Sequence, residues 1–131
     1  VGVAKACLEH SIRYANEREQ FGQPISNFQM IQEQIAEMYV EEQAARLLVY
    51  RAACNKDLGQ RNTIEVSCAK YYAGEVAVKA ANQAVKIFGS YGFSSEYPVE
   101  RFYRDAKSYQ IVEGTSNIQK WIIARNALGH K

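Results

Sequence analysis

The sequence predicts an all-α protein, an up-and-down bundle of four main helices with one short additional helix, and three observations support that expectation. Apolar residues recur at alternating steps of three and four along separate stretches, the period of a helix with one buried face. No run of alternating apolar and polar residues is long enough for a sheet. Gly and Pro punctuate the joints between the periodic stretches. With 131 residues, 47% hydrophobic and 23% charged, the chain is one domain's worth of material, residues 1–131, with enough apolar side chains for a core.

The first helix runs from Val3 to about Arg18. Val3, Cys7 and Tyr14 share one side, with Ala4, Leu8, Ile12 and Ala15 beside them. It stops at Phe21-Gly22-Gln23-Pro24, where Gly frees the backbone and Pro disfavours a helical residue before it. Ser26 with Gln29 then makes a capping box for the second helix. Phe28, Ile31, Ile35, Met38, Ala45, Val49 and Ala52 carry its stripe to about Leu58-Gly59, opposite a polar face of Glu33, Glu37 and Glu41. Glu42 breaks the stripe and must sit at a seam edge or be paired in the core. At ~1.5 Å per residue this helix is on the order of 50 Å long and needs long neighbours.

Asn62 and Glu65 repeat the cap pattern for the third helix, and Val66, Ala69, Ala73, Val76, Ala80, Ala84 and Ile87 keep the period to Phe88. Gly74 among small alanines predicts a close helix contact. Gly89-Ser90-Tyr91-Gly92 ends the helix, as Gly does just past a last turn. Pro98 opens a short helix, PVERFYRDAK, because its fixed φ suits that position. Ser108 to Thr115 reads as short and partly extended. The last helix starts at about Ser116, with Gln119 available to box its cap, and runs through Ile118, Trp121, Ile122 and Leu128.

The net charge is +2, and Lys and Arg are scattered rather than clustered, so nothing calls for nucleic acid. Cys7, Cys54 and Cys68 are an odd number without metal-ligand spacing, so they read as small apolar residues in a reducing compartment, with no metal site. No stretch of about 18 apolar residues suggests a membrane span, and the N-terminus has no signal-peptide arrangement. The chain does not begin with Met, which reads as a piece of a longer protein.

Three places hold residues that a core does not require. In Arg18-Glu19-Gln20-Phe21-Gly22-Gln23-Pro24 a guanidinium stands at a helix end beside an aromatic ring; it either compensates the helix dipole or clamps a phosphate. In Phe88-Gly89-Ser90-Tyr91-Gly92-Phe93 two glycines either cap the helix or let backbone approach a ligand, with neither a Walker nor a Rossmann pattern. In Ile111-Val112-Glu113-Gly114-Thr115-Ser116-Asn117 a carboxylate lies between apolar residues and a helix start. The helix N-terminus favours its anion and desolvation by a bound apolar chain favours the acid, the balance a base working near neutral pH requires; an ordinary helix-start Glu is the alternative. His10 has no partner at triad or ligand spacing and reads as a surface or core-edge residue.

The order and spacing of these places resemble the C-terminal domain of the acyl-CoA dehydrogenase family. The stretches are R-E-Q-F-G-Q-P-I (Arg18 to Ile25), F-Q (Phe28, Gln29), F-G-S-Y-G-F (Phe88 to Phe93), E-Y-P-V-E-R-F-Y-R-D-A-K (Glu96 to Lys107) and I-V-E-G-T-S-N-I-Q (Ile111 to Gln119), which span essentially the whole chain. The resemblance implies a flavoenzyme that oxidises an acyl-CoA thioester to its trans-2-enoyl-CoA with FAD. Glu113 matches the base that removes the α-proton. The thioester carbonyl is held there by the base residue's own backbone N–H and a ribityl hydroxyl of FAD.

The resemblance further implies that Arg18 grips the FAD pyrophosphate of a neighbouring subunit, with Phe21 and Gln29 along the adenosine half and Lys86, Gly89 and Ser90 near that same cofactor. Thr115 and Asn117 match contacts to the protomer's own FAD, and Val112 and Gly114 fall beside the substrate. Arg104 and Asp105 match a structural R-D signature, expected to be an ion pair near the site. Shared cofactor sites imply a homo-oligomer, dimer or tetramer, and electron-transferring flavoprotein as electron acceptor. The compartment implied is cytoplasmic in a bacterium and the mitochondrial matrix in a eukaryote.

Three positions depart from the family pattern: Lys86 where many members have Gln, Ser90 where Gly is usual, and Val112 where Tyr is frequent. Glu113 at the E-G-T position argues against the subgroup whose base lies on an earlier helix, and against nitroalkane-oxidising relatives. The family's N-terminal helical and middle β domains are not in this sequence, so the isolated chain is expected to be inactive and to hold FAD poorly. The alternative is a non-catalytic helical oligomerisation module derived from the same family.

Overall fold

The computed structural model describes residues 1–130 and shows five helices: α1 (Gly2–Glu17), α2 (Gln29–Asp57), α3 (Thr63–Phe88), α4 (Val99–Ser108) and α5 (Ser116–Ala127). Four long helices and one short one form the expected all-α bundle. α3 is its axis and packs against each of the other four helices. Its inward residues explain that position. Ala69, Gly74, Ala77, Ala80, Ala81 and Ala84 are all buried, and a face this small lets neighbouring backbones come close on every side. Cys7 and Leu8 of α1, Met38 and Ala45 of α2, and Val99 and Ala106 of α4 complete one continuous core.

An aromatic group closes the end of the bundle where α1 and α3 finish. Tyr14 stacks on Phe88 with ring centroids 4.1 Å apart, and Tyr97 meets both edge-on at 5.9 and 5.2 Å. The Tyr14 hydroxyl donates to the Phe88 carbonyl at 3.4 Å, so its one polar atom is satisfied inside the core. Burial raises the Tyr14 pKa, and the nearby Arg18 charge partly opposes that.

Between α1 and α2 the chain makes a hairpin the periodicity does not reveal. β1 (Glu19–Gln20) pairs antiparallel with β2 (Gln23–Pro24), Gln20 opposite Gln23, around the two-residue loop Phe21-Gly22. A short 3-10 turn, Ile25–Asn27, follows and displaces the expected capping box. The N-cap of α2 is Phe28, without a side-chain bond, and Ser26 uses its carbonyl to accept from the Gln32 amide at 3.0 Å.

Asn62 is the N-cap of α3 as expected, but its amide donates to the Ala52 carbonyl at 3.0 Å instead of boxing with Glu65, which pairs with Arg51. Pro98 is the N-cap of α4 rather than its first helical residue. The segment after α4 is a succession of turns, not extended chain: the Ile111 and Val112 N–H groups both donate to the Ser108 carbonyl at 2.9 Å. Thr115, not Ser116, caps α5, its hydroxyl accepting from the Ile118 N–H at 3.3 Å.

Glu42 is buried and paired within the core, bound to the Arg46 guanidinium one turn on and to the Gln43 amide at 2.7 Å. Gly74 does make a close contact, though with the turn after α4: a Cβ there would stand 3.1 Å from the Tyr109 carbonyl oxygen. Arg104 pairs with Glu100, at 2.9 and 3.1 Å, and not with its neighbour Asp105. Cys7 is buried as expected, but Cys54 is exposed. His10 is half-buried against Phe102, their ring centroids 5.7 Å apart. Ile118 and Trp121 of α5 and its C-cap Leu128 are exposed, since α5 lays its buried Gln119 and the half-buried Ile122 and Ile123 on the bundle.

Candidate functional site

The expected site residues fall into two groups at different levels of α3. The first lies at its C-terminal end. Arg18, the C-cap of α1, has left the helix, and its guanidinium carbon stands 5.8 Å from the Tyr91 ring centroid. The first two sequence motifs therefore meet in space. Gly89 caps α3 with φ 59°, a Cβ there would touch nothing, and Ser90 beside it is exposed. Lys86, whose carbonyl accepts the Gly89 N–H, is exposed on the last turn.

Neither Arg18 nor Lys86 has a carboxylate partner among the described residues. Two cations without a carboxylate partner beside an exposed, side-chain-free turn at Gly89 are suited to a diphosphate. Gly92 has a different task from the one its motif suggests. It is buried, and a Cβ would come within 2.6 Å of the Val85 carbonyl oxygen, so it packs the loop on α3 rather than facing a ligand. Phe21 stands at the hairpin tip, 93% exposed, with Phe28 edge-on at 6.0 Å and the exposed Gln29 next in sequence.

The second group is the connector between α4 and α5, level with Gly74 and thus about 20 Å down α3 from Phe88 at the helical rise. Glu113 has φ 55° and Gly114 φ 93°. Glu113 is therefore held two residues ahead of the Thr115 cap, in a conformation a non-glycine residue rarely adopts, and is not an ordinary first-turn carboxylate. Its side chain is exposed, and neither its carboxylate nor its backbone N–H has a partner among the described residues. Gly114 has to be glycine: besides its φ, a Cβ would meet the Gln119 amide nitrogen at 2.5 Å, the group that donates to the Gly114 carbonyl.

Beside Glu113 runs a groove of about 760 Å³ between α1, α2, α3 and the connector. Val3, Val49, Val66, Ala73 and Val112 line it, and Lys70 and Glu113 are its only charged side chains among the described residues. Val49 and Val66, expected in the core, are exposed because they form this wall. On the other side of the connector a recess of about 290 Å³ is polar and holds Thr115 and Asn117 with Glu75, Lys107 and Lys120.

Glu75 and Lys70 escaped the sequence reading. Glu75 accepts from the Gln110 amide and from the Ser116 hydroxyl, both at 2.8 Å, and the Lys70 ammonium donates to the Tyr109 carbonyl. The signal for Glu75 was a carboxylate immediately after Gly74 on a helix otherwise lined with alanine. No group of three His, Cys, Asp or Glu residues suited to a metal ion occurs among the described residues, and no helix there is long and apolar enough to cross a membrane.

The family model for the acyl-CoA dehydrogenase C-terminal domain matches residues 1–128. Glutaryl-CoA dehydrogenase of Desulfococcus multivorans is 58% identical over 130 residues, covering 98% of this chain and 33% of that protein. A solved structure of a glutaryl-coenzyme A dehydrogenase in complex with glutaryl-CoA superposes with a TM-score of 0.97 at 56% identity, over 99% of this chain and 33% of that one. Butyryl-CoA dehydrogenase from Megasphaera elsdenii gives a TM-score of 0.96 at 44% identity, over 97% of this chain and 33% of its own. The chain thus spans about a third of the length of the relatives it matches.

Proposed function

The chain belongs to the acyl-CoA dehydrogenase family as its C-terminal helical domain, and on that premise we propose that it carries the base of a flavin-dependent enzyme that desaturates acyl-CoA thioesters between the α and β carbons. The observation that supports this most directly is Glu113: an unpartnered carboxylate, with an unpartnered backbone N–H, in a strained turn at the edge of an apolar groove.

An α-proton of a thioester is weakly acidic, so its removal needs a positioned base and donors on the carbonyl where negative charge gathers. Glu113 supplies both: its carboxylate takes the α-proton, and its free N–H donates to the thioester oxygen. The groove takes the acyl chain, with Val112 on its wall, and Gly114 gives the turn beside the substrate the positive φ that follows Glu113. An acyl chain in that groove excludes water from the space between the carboxylate and the α carbon.

Both groups fit FAD. Arg18 and Lys86, with the backbone at Gly89-Ser90, suit its pyrophosphate; Phe21 and Gln29 suit the adenosine half; and Thr115 and Asn117 border the polar recess on the far side of the connector. Bound there, FAD would supply the two-electron acceptor for the hydride from the β carbon, while Glu113 holds the α-proton, which balances the new double bond. One protomer presents two cofactor-binding groups about 20 Å apart, as expected if Arg18 serves the FAD of a neighbouring subunit and Thr115 its own.

We therefore assign a homo-oligomer, dimer or tetramer, built over apolar residues such as Val40, Leu47 and Trp121 that the bundle leaves exposed. Electron-transferring flavoprotein is the acceptor we assign to the reduced enzyme, and the compartment we assign is the cytoplasm in a bacterium and the mitochondrial matrix in a eukaryote. The remaining two thirds of such an enzyme supply an N-terminal helical and a middle β domain, and this domain by itself is inactive.

Glu113→Gln in the full-length flavoprotein is expected to keep FAD bound and to abolish bleaching of the flavin absorbance by acyl-CoA. Bleaching at the wild-type rate would overturn the assignment and leave the oligomerisation module, for which the same exposed apolar residues speak.

A further inference from the structure

The first half of the connector carrying Glu113 is hydrogen-bonded back to the end of α4, through the Tyr109, Gln110, Ile111 and Val112 N–H groups. The turn beyond is closed by the Ser116 N–H donating to the Gln110 carbonyl at 3.0 Å, and Glu113 itself contributes no hydrogen bond. The left-handed conformation at Glu113 costs on the order of 1 kcal/mol or more, so something outside the turn must select it. α3 supplies three contacts on one face. The Lys70 ammonium reaches the Tyr109 carbonyl, Gly74 lets the same carbonyl lie against the helix, and the Glu75 carboxylate accepts from Gln110 and from Ser116, both at 2.8 Å. Residues 110 and 116 bracket Glu113 symmetrically. One carboxylate therefore ties both ends of the loop to one point on the most central helix, and Lys107 steadies the Gln110 amide by donating to its oxygen.

We propose that Glu75 is the positioning residue for Glu113: bridging Gln110 and Ser116, it holds the intervening turn in the conformation that presents the Glu113 carboxylate and N–H to the groove. The reading of Glu113 as the base is the premise. Hydrogen bonds to an ionised acceptor are roughly twice as strong as neutral ones, which explains a carboxylate here rather than an amide. The arrangement also predicts a distinctive deficit. A loosened turn leaves the groove walls contributed by α1, α2 and α3 and the Arg18 group at the far end of α3 in place, so substrate and FAD still bind, but the base is misplaced.

The test uses the full-length flavoprotein with Glu75→Ala, Glu75→Gln, the double variant Gln110→Ala/Ser116→Ala, and Lys79→Ala as a control. Lys79 pairs with Glu37 and Glu41 across α2 and α3, away from the connector. For Glu75→Ala and for the double variant we expect kcat to fall roughly 10- to 100-fold with KM within about two-fold and FAD content unchanged. Amide hydrogen exchange should rise about ten-fold or more at residues 111–116 and not in α2.

Glu75→Gln should recover only part of kcat, because its oxygen still accepts from Ser116 while its amide faces that of Gln110, whose oxygen Lys107 holds. Lys79→Ala should change neither kcat nor exchange in the connector. The double variant leaves α3 untouched, so it answers the question even if Glu75→Ala does not fold. Wild-type kcat and unchanged exchange in the double variant would overturn the proposal, as would a loss confined to KM. Glu113→Gln, run alongside, separates the premise from the inference: if it stays active the premise has failed, while the exchange measurement still decides whether Glu75 holds the turn.

Discussion

Phe21 and Glu113 are the two described non-glycine residues with positive φ, at 54° and 55°, and each precedes a glycine of positive φ, 78° and 93°. Two turns with nearly the same backbone signature are secured by different means. The Phe21-Gly22 turn is the loop of a two-residue hairpin, and positive φ at both positions is what such a loop requires for its twist to match the strands. Nothing lies within 4 Å of where a Gly22 Cβ would be. Local pairing determines that turn. The Glu113-Gly114 turn has no strand pair behind it and depends on side chains from α3 and α5, namely Glu75, Lys70 and Gln119. The first turn can therefore vary without disturbing the bundle, whereas the second is coupled to the bundle's axis.

Replacing the two glycines is the strongest way to break this contrast. Gly114→Ala meets an unfavourable φ and drives a Cβ to 2.5 Å from the buried Gln119 amide, which must retreat and give up its bond to the Gly114 carbonyl. A loss of about 2 to 3 kcal/mol is expected, in the range for strain plus a buried hydrogen bond. Gly22→Ala meets the φ strain alone, about 1 kcal/mol. Denaturant midpoints of the two full-length variants check the ranking, and equal losses would mean that both turns are secured locally.

The bundle was legible in the sequence because its helices are long and their apolar residues periodic, so the α1 to α5 stretches and their order could be read one by one. Caps were legible as places and not as bonds. Asn62 is where expected, but its amide is spent on Ala52, because the end of α2 lies beside it, a tertiary fact that no local pattern encodes. The hairpin was hidden by its own residue type: Asn-Gly announces such a turn, and Phe-Gly does not. The E-G-T motif was legible through its resemblance to a family, whereas its support was not. Glu75 lies 38 residues before Glu113, and only the fold brings it to the connector.

The smallest expected effect is the most discriminating. Asn adopts the left-handed conformation far more readily than Glu or Phe, so Glu113→Asn and Phe21→Asn should each relieve strain and stabilise the protein by roughly 0.5 kcal/mol. The gain at Phe21 is offset in part by loss of the edge-on contact with Phe28, which is weak because Phe21 is almost fully exposed. A large aromatic ring in a strained and solvated position, and a carboxylate likewise, are what folding stability alone would replace; the proposed function gives each of them a ligand to meet. Both variants should therefore melt slightly higher while failing separately: Glu113→Asn should retain FAD and lose proton abstraction, and Phe21→Asn should keep the chemistry and release FAD more readily. A lower melting temperature for Glu113→Asn would show that the Glu113 turn carries no strain for α3 to restrain, and the contrast between the two turns would then be one of contacts alone.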